Sequence, residues 1–272
     1  MKELMGITDL LCKKLQHKSQ DIVNAMDDVA TTKKLLQNLR EHGWDNLISD
    51  VISFCMKHGI AYPNMEDFWR DLSAVYAREI AELGRRGCTY LQLDDTSLAY
   101  LNDPKQRDYV SSIGGDPNEQ HRIYIRNINA ALAGKPAGMR VCTHMCRGNF
   151  RSAWAAEGGY DHVAEALFNE LNVDGFFLEY DDARSGGFEP LRFVPKGKYV
   201  VLGLVTTKRG QMETKDDLKR RIDEASRFVP LEQLCLSPQC GFSSTEEGNA
   251  LSLDEQKGKL ALVLETARDV WG

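Results

Sequence analysis

The 272-residue chain carries a net charge of -6 and is 42% hydrophobic. That balance suits a soluble globular protein, one large domain or two small ones, and argues against wholesale disorder. It gives no reason to expect nucleic-acid binding by the chain as a whole, and no apolar run is long enough to span a bilayer.

The first residues, Met1-Lys2-Glu3-Leu4-Met5-Gly6, lack the apolar stretch of a secretory signal. The seven Cys are therefore expected in a reducing, cytoplasmic setting, as core residues, metal ligands or catalytic groups. Residues 1–60 read as helix throughout. Ile7, Leu10, Leu11 and Leu15 recur at helical spacing, followed by Ile22, Val23, Met26, Val29, Leu35, Leu36 and Leu39. Gly43 suits a helix C-cap, and a second helix is expected over 46–57. His17, His42 and His58 are isolated and expected at exposed helix positions.

After Pro63 the character changes. A helix is expected over 68–86, with Leu72, Val75, Tyr76, Ile80 and Leu83 on one side. A strand over 88–93 ends at Asp94-Asp95. A helix over 119–132 precedes a strand over 139–143, and a helix over 161–171 precedes a strand over 173–178. A strand over 199–204 leads to a helix over 214–228, and a strand over 233–237 leads to a helix over 253–270. Alternation of this kind predicts a parallel α/β fold. There is no GxGxxG after a strand, no phosphate-binding loop and no internal repeat.

The chemistry gathers just beyond the strand ends. Side chains alternate across a strand, so His144 and Cys146 project from one face. An imidazole and a thiol paired this way suit a borderline-soft cation such as zinc. Glu179 closes the next strand and Cys240 follows the last one. Taken singly, these are a satisfied polar pair, a buried free Cys and a solvated acid. As a set from three strand ends they point to a metal. Convergence of several strand ends is easiest in a (β/α)8 barrel, whose functional residues lie at that end. Five βα units fall short of the eight a closed barrel needs.

Other residues have plainer expectations. Arg147 and Asn149 should orient the ligand loop. Asp95, Asp181 and Asp182 read equally as acids behind the ligands or as solvated loop residues. His121 and His162 are expected at helix surfaces, and Cys88, Cys142 and Cys235 in the apolar core. Trp154 is expected to pack under the loop rather than wall a cleft.

Two resemblances stand beside this reading. The segments 18–26, 38–45 and 51–60, among them Asn38-Leu39-Arg40-Glu41-His42-Gly43-Trp44-Asp45, resemble the helical region of hAT-family transposases, without catalytic acid or zinc finger. From about Met65 onward the chain resembles the C-terminal catalytic barrel of cobalamin-independent methionine synthases. The residues that carry this are Leu91-Gln92-Leu93-Asp94, His144-x-Cys146-Arg147-Gly148-Asn149, Phe177-Leu178-Glu179-Tyr180-Asp181 and Pro238-Gln239-Cys240-Gly241. The resemblance implies a helical segment over 1–67 followed by an incomplete TIM-type barrel over 68–272. It implies zinc on His144, Cys146, Glu179 and Cys240, and Asp94 on the amino group of homocysteine. The implied reaction is methyl transfer from a methylated folate to the homocysteine thiol.

Two departures qualify what is implied. The first barrel strands, which carry groups for folate and for the homocysteine carboxylate, have no counterpart here. The family also carries a His after its seventh strand, and the corresponding stretch, Gly203-Leu204-Val205-Thr206-Thr207-Lys208, has none. Another zinc-thiol alkyltransferase resembling coenzyme M transferases, or an inactive chimaera retaining the zinc site, remains an alternative. The expectation is an open barrel whose unpaired edges favour self-association.

Overall fold

From Met65 onward the apolar period switches repeatedly between the helical and the extended repeat, and the chain folds accordingly. A computed structural model describes residues 64–272, together with the single positions Thr31, Thr32, Lys34, Ser53, Lys57 and Gly59. The helical reading of 1–60, with His17, His42, His58 and Gly43, falls outside the described residues, as does the transposase-like stretch. The chain divides between Asp67 and Phe68.

Helix α1 (Met65–Arg85) leads into β1 (Tyr90–Asp95), followed by α2 (Ser97–Tyr100), α3 (Pro104–Ser112) and α4 (Gln120–Leu132). Then come β2 (Arg140–Met145), α5 (Ala164–Glu170), β3 (Gly175–Glu179), β4 (Tyr199–Val205), α6 (Lys215–Ser226), β5 (Leu234–Pro238) and α7 (Leu253–Trp271). Local chemistry sets the helix starts. Asp103 accepts from the Lys105 amide with Pro104 in the first turn of α3. Thr214 accepts from the Asp217 amide at α6, and Ser252 with Glu255 forms a reciprocal cap at α7. Sequence reading misses α2 and α3. α3 buries none of its side chains, so no apolar stripe announces it.

The five strands form one parallel sheet in the order β1-β2-β3-β4-β5. Among the described residues β1 and β5 are its edges, so the sheet is five strands wide and open. Its two faces differ sharply. Val141, Met145, Phe176, Leu178, Val200, Leu202, Leu204 and Leu234 are buried in the core. They occupy alternate positions and share one face. The intervening positions make the second face. There Tyr90 and Tyr199 remain 48% and 47% exposed. Gln92 and Asp94 are exposed, and Cys142, Phe177 and Cys235 are half-buried. Cys142 and Cys235 are thus on the open face, not in the core expected for them. Cys88, half-buried, packs against the core as expected, and its thiol donates to the Tyr90 carbonyl.

At the opposite end of the sheet from the candidate ligands, Asp174 ties β2 to β3. Its carboxylate meets Lys135 at 2.7 Å, Arg140 at 3.2 Å and the Val141 amide at 2.8 Å. Burial opposes its ionisation, but these partners outweigh it and hold the carboxyl below its usual range.

His121 is not a surface residue: it is 6% exposed, on the inner side of α4. Its ring stacks edge-on with His162 at 5.6 Å, and His162 contacts the Pro117 carbonyl. Helical periodicity places it three and four residues from the apolar Tyr124 and Ile125, which sequence reading passed over. Burial, the largest cause, and then Arg122 and His162 lower its pKa. Below about pH 6.5 the unfolded chain takes up a proton that the folded chain resists. Stability should therefore fall as pH drops through that value. Urea midpoints at pH 7.5 and 5.5 should differ less in His121→Leu than in the unaltered protein; equal differences would show that His121 is not the group responsible.

Candidate metal centre

The register explains why the candidate ligands meet. Asp94 pairs with His144, and His144 with Phe177, so Asp94, His144 and Glu179 share the second face. Cys146 lies just past β2, its amide donating to the Asp95 carbonyl at 3.1 Å. Cys240 follows β5, set by the Gln239 amide donating to the Val205 carbonyl at 2.8 Å. Gly203 permits this approach, because a Cβ there would lie 2.8 Å from the Leu178 carbonyl oxygen and 2.9 Å from Gln239 Cα.

One ligand atom from each of His144, Cys146, Glu179 and Cys240 lies within 4.8 Å of all the others. The two sulfurs are 3.8 Å apart. A tetrahedral ion with bonds of about 2.3 Å to sulfur needs a separation of roughly 3.8 Å. His144 Nε2 lies 3.8 Å from Glu179 Oε1. His144 Nε2 and both Glu179 carboxylate oxygens are buried without a hydrogen-bond partner. Leaving such atoms unpaired costs about 1–3 kcal/mol each. A single cation would satisfy all three, and a donor set of two sulfurs, an imidazole and a carboxylate suits zinc.

The electrostatics agree. Burial raises the Glu179 pKa above the usual carboxylate range, against the pull of Arg147, His144 and Arg184. Burial alone would lower His144, but Cys146, Glu179 and Asp94 together raise it. The hydrogen bond between the sulfurs holds Cys240 below and Cys146 above the ordinary thiol range. Acidic groups crowded in this way are what a divalent cation relieves.

Arg147 does orient the site, as expected. It is fully buried and donates to the Tyr160 hydroxyl at 2.8 Å, the Glu179 carbonyl at 3.0 Å and the Gly158 carbonyl at 2.7 Å. The Glu179 amide in turn donates to the Tyr160 hydroxyl at 2.8 Å. Arg147 and Arg184 approach Glu179 Oε2 at 3.8 and 3.7 Å. Arg184 is itself held by Asp181 and Asp182, which places those two acids behind the ligands. Asp95 does something else: its Oδ1 accepts from the Leu98 amide and starts α2. Trp154 is not packed under its loop. It is 43% exposed, carries Arg184 over its ring at 4.7 Å, and walls a small recess with Thr206, Lys208 and Arg209.

Sequence reading missed Tyr160, Lys208 and Asn249. Tyr160 follows Gly158-Gly159, where no periodicity marks a buried position. Lys208 has the residue type least expected to be buried, and Asn249 lies in a loop, so neither carries a local signal.

Removing one partner of a buried ion pair typically costs about 3–5 kcal/mol. Arg147→Met should therefore lower unfolding free energy by that order in a urea titration. A loss under about 1 kcal/mol would mean Glu179 is neutral and needs no counter-charge.

Fold and centre together define a parallel α/β protein with a thiol, imidazole and carboxylate cluster at the C-terminal ends of its strands. The family model described as the cobalamin-independent synthase catalytic domain matches residues 63–256, and the chain belongs to that family. It is 52% identical over 211 residues to the protein YxjH of Bacillus subtilis, covering 77% of this chain and 56% of that one. It is 26% identical over 183 residues to a methionine synthase of Pyrococcus abyssi, covering 66% of this chain and 45% of that one. A structure titled putative vitamin-B12 independent methionine synthase, from Listeria monocytogenes, superposes with a TM-score of 0.61 at 41% identity. That match covers 77% of this chain and 57% of the other. A B12-independent methionine synthase from Shewanella, at 21% identity and a TM-score of 0.56 over 77% and 56% of the two chains, supports the fold. The chain spans about half the length of these relatives.

Proposed function

We propose that this chain is a zinc-binding portion of a thiol methyltransferase, acting on homocysteine with a methylated folate as donor. The observation that carries the reading is the buried cluster of His144, Cys146, Glu179 and Cys240 with its unpaired ligand atoms. Membership of the cobalamin-independent synthase family supports it. We further propose that the functional division of the chain runs between residues 67 and 68, and that it works in the cytoplasm, where its thiols stay reduced. Among the described residues no helix is long and apolar enough to cross a membrane.

Zinc held by these residues would depress the pKa of a substrate thiol and present it as a thiolate at neutral pH. The protein's own groups set how reactive that sulfur stays. Two cysteine sulfurs and a carboxylate outweigh a divalent charge when ionised, so the substrate sulfur keeps its electron density. Arg147 and Tyr160 hold Glu179 in place through its backbone. Asp94, exposed and level with His144 on the same face, would take the ammonium of an amino-acid thiol, which its carboxylate suits.

A second reading has its own observation. Among the described residues Asp94 lies on an edge strand, and Tyr90 and Gln92 on the same face are exposed with it. Such a face neither excludes water nor encloses a donor. The chain alone would then retain zinc with little or no turnover, and its open edges would favour self-association.

The metal is tested by elemental analysis. About one zinc per chain is expected, reduced strongly in Cys146→Ser and in Cys240→Ser; full zinc in the double variant would overturn the assignment. Asp94→Asn should keep its zinc and weaken homocysteine binding, and loss of zinc there would make Asp94 a ligand. Assay of homocysteine methylation with methylfolate, alongside sedimentation velocity, separates the two readings. Robust turnover by a monomer favours the first, and zinc-loaded but inactive associating protein favours the second.

A further inference from the structure

The loops that carry the two cysteines are joined by a hydrogen-bond chain with only one consistent set of donors. Lys208 follows β4 and is buried. An ammonium has donors only. Those of Lys208 meet the Gly148 carbonyl at 3.2 Å, Asn149 Oδ1 at 3.2 Å and the Ala153 carbonyl at 3.4 Å. All three acceptors lie in the loop that follows Cys146. Asn249 Nδ2 donates to the same Asn149 Oδ1 at 2.9 Å and to the Thr207 carbonyl at 2.8 Å, while its Oδ1 accepts from the Ser152 amide at 3.0 Å.

With its oxygen taken by two donors, the Asn149 amide has one orientation. Its Nδ2 faces the Gly241 carbonyl and donates to it at 2.7 Å. Gly241 is the neighbour of Cys240. From the other side of Cys240, Gln239 accepts from the Thr207 hydroxyl at 2.9 Å. The Cys146 loop, the β4 loop and the Cys240 loop are thus braced through one buried amide. None of these side chains is a ligand, and burying an ammonium for packing alone would be costly.

We propose that Asn149, Lys208 and Asn249 form a positioning clamp that sets the separation of the Cys146 and Cys240 sulfurs, and through it the metal affinity of the centre. The proposal rests on the reading of that centre as a zinc site. The clamp works by orientation: Lys208 and Asn249 point the Asn149 amide, and the amide holds the second cysteine loop.

Asn149→Asp separates orientation from size. A carboxylate of the same shape still accepts from Lys208 and Asn249 but has nothing to donate to the Gly241 carbonyl. The test uses the full chain, stripped of metal and titrated with Zn2+ against a chromophoric chelator. A parallel titration with Co2+ reads the sulfur-to-cobalt charge-transfer band. Asn149→Asp, Asn249→Ala and Lys208→Met should each weaken Zn2+ binding by about 10–100-fold, the usual cost of losing a group that orients a ligand. The charge-transfer band should also weaken or shift. Circular dichroism checks folding, and if Lys208→Met does not fold, the two asparagine variants decide. Unaltered affinity and an unaltered band in folded Asn149→Asp and Asn249→Ala would overturn the clamp while leaving the zinc reading intact. No metal binding by the unaltered chain would overturn both.

Discussion

The end of the sheet depends on one costly arrangement, the burial of the Glu179 carboxylate with no hydrogen bond to either oxygen. A buried carboxylate is normally wrapped in donors, or it takes up a proton. Here Arg147 donates to the Glu179 carbonyl and to the Tyr160 hydroxyl, which in turn accepts from the Glu179 amide. The side chain is aimed while its oxygens stay available. Arg147 and Arg184 hold charge near the carboxylate without capping it. Donors placed so as to leave lone pairs free are what a ligand position requires and what a structural ion pair would avoid.

The sheet then divides the labour between its faces. The face packed on the helices carries the apolar residues and gives the unit a core. The other face carries Asp94, His144 and Glu179 by simple alternation. In a closed barrel that face would be interior. Here it stays partly open, and residues such as Tyr90 and Tyr199 meet solvent where a barrel would cover them.

Much of this was legible in the residues themselves. Each strand that a run such as Tyr199-Val200-Val201-Leu202 announces is present, displaced by a residue or two at its ends. The four candidate ligands could be gathered because strand period and strand ends are local properties, and in parallel sheets those ends align. What stayed hidden is not local. Lys208 and Asn249 take their role from a loop that lies 59 and 100 residues away in sequence, and no pattern within a window reports that. Tyr160 is a hydroxyl whose importance appears only once Glu179 is beside it. His121 is hidden for a different reason: its polarity suggests a surface position, while its helical register puts it on the side that the helix buries. Cys142 and Cys235 hold strand positions yet are only half-buried, because they lie on the face of the sheet away from the core.

These two kinds of residue bear on different properties of the chain. Among the described residues, the groups that orient the candidate ligands come from within β1 to β5 and their loops. The face a substrate would occupy is another matter, since it runs out at the edge strand that bears Asp94. Orienting a metal needs a few fixed atoms within a small radius, whereas transferring a group between two substrates needs a closed surface around both. A parallel sheet can supply the first with part of its width and the second only when enclosed. On the proposed reading, metal binding and turnover would therefore be separable properties, divided at the strand that bears Asp94.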